Sequence, residues 1–92
     1  MPALSATEVT ANQANVPAWK IENGELVRTF QFQDFLAAMR FVNELAVLAE
    51  QVSHHPDIDI RYNRVRLALV THDAGGLTTK DFELAKAADG LV

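Results

Sequence analysis

An α+β fold is the architecture expected from this sequence: a four-stranded antiparallel sheet with three helices packed on one face. Two segments carry the alternation and turn chemistry of β-hairpins. Three other segments carry helical spacing or helix-cap signatures, and they fall before, between and after the hairpins. The segments follow one another without linker, repeat or low-complexity tract, in the order α-β-β-α-β-β-α, so residues 1–92 are expected to form one domain.

The first helix is expected in "SATEVTANQ". Ser5 can accept a hydrogen bond from the Glu8 amide while the Glu8 carboxylate reaches back, the reciprocal arrangement of a capping box. In "VPAWKIENGELVRTFQF" the pair Asn23-Gly24 marks a two-residue type I′ turn, because both positions need positive φ. Before it Trp19 and Ile21 alternate with polar residues. After it Leu26, Arg28, Phe30 and Phe32 alternate with Val27, Thr29 and Gln31. The long stretch "QDFLAAMRFVNELAVLAEQV" has helical spacing, with Phe35, Met39, Val42, Leu45, Ala46 and Ala49 along one face. Leu36, Phe41 and Leu48 lie to the side of that face. The apolar arc is wider than packing on one sheet requires, which leaves a second apolar strip for a partner.

A second hairpin is expected in "HHPDIDIRYNRVRLALVTHD". Ile58, Ile60 and Tyr62 alternate on its first strand, and Val65, Leu67 and Leu69 on its second, with the turn at Asn63-Arg64. "AGG" then breaks the strand, and "LTTKDFELAKAADG" reads as a last helix capped by Thr78 or Thr79 and stopped by Gly90. Asp81 stands at capping-box spacing from Thr78.

Composition narrows the functional classes. Hydrophobic residues make up 49% of the chain, near the top of the ordinary soluble range, in keeping with apolar surface covered by another subunit. Eight Lys and Arg against twelve Asp and Glu give a net charge of -4, so no nucleic-acid partner is expected. Arg61, Arg64 and Arg66 cluster, but Asp57 and Asp59 sit beside them, which suits a solvated strand face. With no cysteine there are no disulfides or thiolate zinc sites. No apolar run is long enough to span a bilayer, and "MPALSATEV" lacks the basic-then-apolar order of a signal peptide. The cytoplasm is the expected compartment.

The chain has three histidines, and two of them, His54 and His55, are adjacent at the expected exit of the long helix. Pro56 prevents the helix from continuing and pushes His55 into extended backbone. His72 lies at the far end of the following hairpin, which returns the chain toward its start. All three imidazoles are thus expected at one end of one hairpin. Imidazole titrates near neutrality, so one ring can donate a proton while another accepts one. Glu50 stands one helical turn before His54, at contact spacing, and can orient its ring. A histidine here can also serve only as a helix cap. A three-histidine metal site is the less favoured alternative, since adjacent histidines are poor ligand spacing and no HxH or HExxH is present. Trp19 suits core packing, or the wall of a pocket for a flat heterocycle.

The run Glu50-x3-His54-His55-Pro56, Tyr62 after five residues, His72 after nine more and Asp81 after eight more resembles the signature of the pterin-4a-carbinolamine dehydratases. Trp19, "YNRV" and "GGLTTKDFELA" extend the resemblance from about Trp19 to Ala85. The resemblance implies the same order of elements, and homodimers or homotetramers built through sheet and helix packing. It implies the conversion of 4a-hydroxytetrahydropterin, a product of aromatic amino acid hydroxylation, to quinonoid dihydropterin and water, without metal or organic cofactor. His54 and His72 would form the proton-transfer pair, with His55 a substrate contact or second acid and Glu50 and Asp81 supporting them. Substrate contacts would come from Ser53, His54, His55 and Pro56, from Val70, Thr71, His72 and Asp73, and from Trp19. Position 53 is often acidic in relatives, and some carry a hydroxyl where Val70 stands. Two other roles are compatible with the resemblance: a dimerisation cofactor for a transcription factor, and a pterin-binding module without turnover.

Overall fold

The computed structural model describes residues 2–92. Helix α1 spans Ala6–Gln13, strands β1 and β2 span Lys20–Glu22 and Glu25–Gln31, and helix α2 spans Phe35–Val52. Strands β3 and β4 span Asp57–Arg61 and Arg64–Leu69, a 3₁₀ turn spans His72–Ala74, and helix α3 spans Thr79–Asp89. The strands form one antiparallel sheet in the order β1-β2-β4-β3. Element order and sheet are those expected from the pattern.

Local chemistry accounts for most boundaries. Ser5 caps α1: its Oγ accepts from the Glu8 amide at 3.2 Å, and the Ser5 amide donates to Glu8 Oε1 at 2.9 Å. Asn23 and Gly24 both take positive φ, 51° and 78°, closing the first hairpin. Asp34 caps α2 by accepting from the Ala37 amide at 2.9 Å. The second hairpin turns one residue earlier than expected. Arg61 pairs with Arg64, so the loop is Tyr62-Asn63, with Tyr62 at φ 51°. Asn63 decides this: its carbonyl accepts from the Phe32 amide at 2.8 Å, and its Nδ2 donates to the Phe32 carbonyl at 2.9 Å.

The core lies between the helices and one face of the sheet. Leu26, Phe30, Val65, Leu67 and Leu69 supply the sheet side, and Trp19 and Val16 close one end. From α2 the buried residues are Ala38, Phe41, Leu45 and Ala49. The inner face of α2 is therefore rotated by about 60° toward Phe41 relative to the expected one, at 100° per residue. Phe35 and Ala46 face outward. The reason is aromatic packing: Phe41 packs in tilted contact with Phe30 and Phe32, with ring centroids 4.6 Å and 5.1 Å away. Leu45 is fully buried, and truncating it to alanine is expected to cost about 2–5 kcal/mol. The strip left outside carries Phe35, Leu36 and Val47, all exposed. On the opposite face of the sheet Arg66 lies 3.9 Å from Glu22, and Arg61 Nε lies 3.3 Å from Asp59, so two of the three clustered arginines are paired with acids and all three are exposed. Among the described residues no helix is long and apolar enough to cross a membrane.

Candidate active site

The site begins where α2 ends. Ser53 takes the left-handed conformation, φ 53° and ψ 40°, and its amide donates to the Glu50 carbonyl while the His54 amide donates to the Ala49 carbonyl. This pair of bonds is a Schellman motif, which satisfies the last carbonyls of the helix and reverses the chain sharply. The helix thus stops at Val52, ahead of any effect of Pro56. The reversal sends the two neighbouring histidines apart.

His54 turns inward. Its Nε2 lies 2.6 Å from Oδ1 of Asp81, which is fully buried at the start of α3. The other carboxylate oxygen of Asp81 accepts from the Thr78 amide and from Thr71 Oγ, both at 2.9 Å. Thr71 has one hydroxyl proton and gives it to Asp81, so the 2.8 Å contact between Thr71 and Thr78 is donated by Thr78. An ionised carboxylate only accepts hydrogen bonds, so Nε2 of His54 is the donor in its contact with Asp81. The neutral ring then has Nδ1 as its acceptor. Asp81 accordingly both caps α3 and fixes the tautomer of His54.

His55 turns outward, and its Nε2 lies 2.5 Å from Glu50 Oε2, both side chains being largely exposed. Glu50 therefore orients His55, whereas helical spacing had paired it with His54. That spacing rule fails here because Ser53 breaks the helical path between the two residues.

His72 sits on the short loop after β4. Thr71 and Gly76 exchange backbone hydrogen bonds at 3.2 Å and 3.4 Å, and Gly75 turns with φ 74°. The loop holds His72 toward the end of α2. His54, His55 and His72 all line one open cleft of about 230 Å³. Ser53, His54 and His55 form one wall, and Val70, Thr71, His72 and Asp73 form the other.

Glu50 and Asp81 stand behind the cleft, each bonded to a lining histidine. Pro56 is not among the lining residues. Trp19 is placed elsewhere: it is 1% exposed in the core, with Nε1 donating to Asp89 Oδ1 at 2.8 Å. The ring is drawn there by Phe30, edge-on at 5.9 Å, and by the need of a buried indole N–H for an acceptor. Sequence reasoning overlooked Thr78 as a support of the site. Its capping-box spacing to Asp81 was visible, but its hydroxyl link to Thr71 is a tertiary contact. Among the described residues no group of three or more His, Asp or Glu side chains is arranged to hold a metal ion.

The family model described as "Pterin 4 alpha carbinolamine dehydratase" matches residues 2–91. A protein of Chloroflexus aurantiacus, provisionally named a pterin-4-alpha-carbinolamine dehydratase, is 60% identical over 92 residues, covering 100% of this chain and 99% of its own. A crystal structure of a transcriptional coactivator/pterin dehydratase from Brucella melitensis superposes with a TM-score of 0.93 at 30% identity, covering 97% of each chain. The fold is also shared, at TM-score 0.69 and 23% identity over 80% of this chain and 88% of the other, with a pterin dehydratase-like protein identified as a RuBisCO assembly factor in the alpha-carboxysome. By family model, whole-length identity and superposition, this chain belongs to the pterin-4a-carbinolamine dehydratase family.

Proposed function

We propose that the protein is an active dehydratase, converting 4a-hydroxytetrahydropterin to quinonoid dihydropterin and water in the recycling of a reduced pterin cofactor in the cytoplasm. The observation that carries this is the gathering of His54, His55 and His72 round one cleft, with His54 held by a buried carboxylate. The substrate is a carbinolamine, with a hydroxyl and an amine nitrogen on neighbouring atoms. Dehydration breaks the C–O bond, and the hydroxyl leaves as water with one added proton. The nitrogen loses its proton, and the electrons of that bond form C=N. One proton is given and one is taken, and two imidazoles in opposite protonation states supply both transfers.

In this scheme His54 is the base, acting through Nδ1 because Nε2 is committed to Asp81. His72, exposed at the tip of its loop, is the acid, and His55 contacts the substrate with its ring braced by Glu50. Each positioned acid or base gives about 10²–10⁴-fold, and the substrate already loses water unaided, so such factors suffice. Stopped-flow absorbance with freshly prepared 4a-hydroxytetrahydropterin tests the scheme. His54→Ala and His72→Ala are each expected to slow the reaction by about 10²-fold or more. Unchanged rates in both variants would refute the assigned roles.

The exposed strip of Phe35, Leu36 and Val47 on α2 supports a second property, association through that helix. A homodimer or homotetramer is the favoured outcome, and a transcription factor's helix is the alternative occupant, in line with the description of the Brucella protein as a transcriptional coactivator. Sedimentation of the wild type against Leu36→Glu reads the first. Retention of a helical partner equally by wild type and His54→Ala reads the second.

A further inference from the structure

The segment ahead of α1 lies against the residues that support the site. The Leu4 amide donates to the Leu77 carbonyl at 2.8 Å. The Ala3 methyl lies 3.1 Å from the place a Cβ would take on Gly76. Gly76 does not share the positive φ of Gly24 and Gly75, so the close approach of Ala3, not backbone conformation, is what a larger residue would meet there. Leu4 also packs against the core, and the capping box of Ser5 and Glu8 fixes where the chain enters α1. Ala3 and Leu4 thus form a strap across Gly76 and Leu77.

Both strapped residues lead to the buried carboxylate. The Leu77 carbonyl and the Thr78 amide are the two edges of one peptide group, and that amide donates to Asp81 Oδ2 at 2.9 Å. A peptide group is planar, so a bond on one edge helps to set the direction of the other. A chain of hydrogen bonds therefore runs from Leu4 through this peptide to Asp81, and from Asp81 Oδ1 to His54 Nε2. Leu77, Thr78 and Asp81 are all buried, where such links polarise one another. A second route passes through Gly76. Its amide and carbonyl bond to Thr71, whose hydroxyl donates to the same carboxylate. The Thr71–Gly76 bonds are long, 3.4 Å and 3.2 Å, and the loop they close is mostly exposed. A segment held in that way sits at the low-stability end of a fold. The strap adds a restraint from the other side.

We propose, resting on the reading that the cleft is a dehydratase site, that the strap of Ala3 and Leu4 is a positioning element of that site. It holds the Asp81 carboxylate, and through it the tautomer of His54, by way of the Leu77–Thr78 peptide and Gly76. It touches no reacting atom.

Gly76→Ala tests the strap in the full-length protein. The new Cβ forces strap and loop apart by a few tenths of an ångström. In stopped-flow turnover of the 4a-hydroxy compound, kcat is expected to fall about 3- to 10-fold, a fraction of what a misplacement of about 1 Å can cost. The imidazole ¹⁵N shifts of His54 should move toward the tautomer-averaged values of free imidazole, while those of His55, held by Glu50 outside this chain of bonds, stay unaltered. Adding Ala3→Gly removes the opposing methyl and should restore both readouts. A strap with a merely structural role would lower the unfolding midpoint and leave kcat and the His54 shifts of the folded protein unchanged. That result would overturn the proposal, as would a double variant that restores neither. Where Gly76→Ala does not fold, Leu4→Ala, which loosens the strap from its own side, decides by the same two readouts. If the wild type does not dehydrate the 4a-hydroxy compound, the dehydratase reading falls, and the His54 shifts still decide whether the strap holds Asp81.

Discussion

His54 Nε2 and Asp81 Oδ1 lie 2.6 Å apart, although 27 positions separate the residues in the chain. The carboxylate is buried and receives two further hydrogen bonds, from the Thr78 amide and the Thr71 hydroxyl. Its orientation is therefore held by two bonds besides the one to the imidazole.

Asp81→Asn tests that relationship. With its oxygen kept by Thr78 and Thr71, the amide presents its NH₂ to His54, which must then accept at Nε2 and carry its proton on Nδ1. Under the proposed scheme the rate falls by about 10²-fold or more, because Nδ1, the proposed base nitrogen, then carries a proton. Imidazole ¹⁵N shifts check the cause: the tautomer of His54 should reverse while His72 is unaltered. A slow enzyme with the original tautomer would contradict the assignment.

Asp89 ties the sheet to the end of α3. Its Oδ1 accepts from Trp19 Nε1 at 2.8 Å and pairs with Arg28 at 2.5 Å, and the Arg28 guanidinium lies 4.1 Å above the Phe30 ring centroid. Asp89→Ala strands a buried indole N–H and a half-buried cation, for an expected loss of about 1–3 kcal/mol in denaturant unfolding. The chain has one tryptophan, so its fluorescence reports this locus directly. Asp89→Asn, which keeps an acceptor for the indole, should lose less.

Ser53 carries a Cβ in the left-handed region at the α2 terminus, which costs roughly 1–2 kcal/mol for a non-glycine residue. Ser53→Gly is expected to raise unfolding stability by part of that amount, since glycine is more flexible in the unfolded chain. Ser53→Val should lower it. Thermal unfolding of the two variants gives the opposite signs or refutes the account of the turn.

The capping box of α1 makes its stability depend on pH. The Ser5 amide, and after it the Ser5 hydroxyl, hold the Glu8 carboxyl below its ordinary value of 4.5. A depressed folded-state value contributes stability above the unfolded value, which is lost as pH falls from 4.5 through the folded one. Amide protection factors at Ser5 and along α1 should fall in that acid window. In Glu8→Gln the same amides should show no such step.

What the chain determined alone is what short-range chemistry determines. Asn23-Gly24 needs no distant partner to turn, and Ser5 and Glu8 cap a helix three residues apart. The alternation of Val65, Leu67 and Leu69 picks one face of β4 whatever covers it. The errors came where several local answers were equally good. The apolar arc of α2 runs too far round for periodicity to choose its inner face, and contact with Phe30 and Phe32 chose Phe41. Tyr62 entered the second turn because Asn63 is held by Phe32, a residue 31 positions away. Helical spacing assigned Glu50 to His54, but a left-handed Ser53 gave it to His55. The pairing of His54 with Asp81 and the burial of Trp19 against Asp89 are contacts between segments far apart in sequence. No local rule ranks such pairs, because their free energy comes from desolvation and geometry that exist only once the sheet and helices have packed.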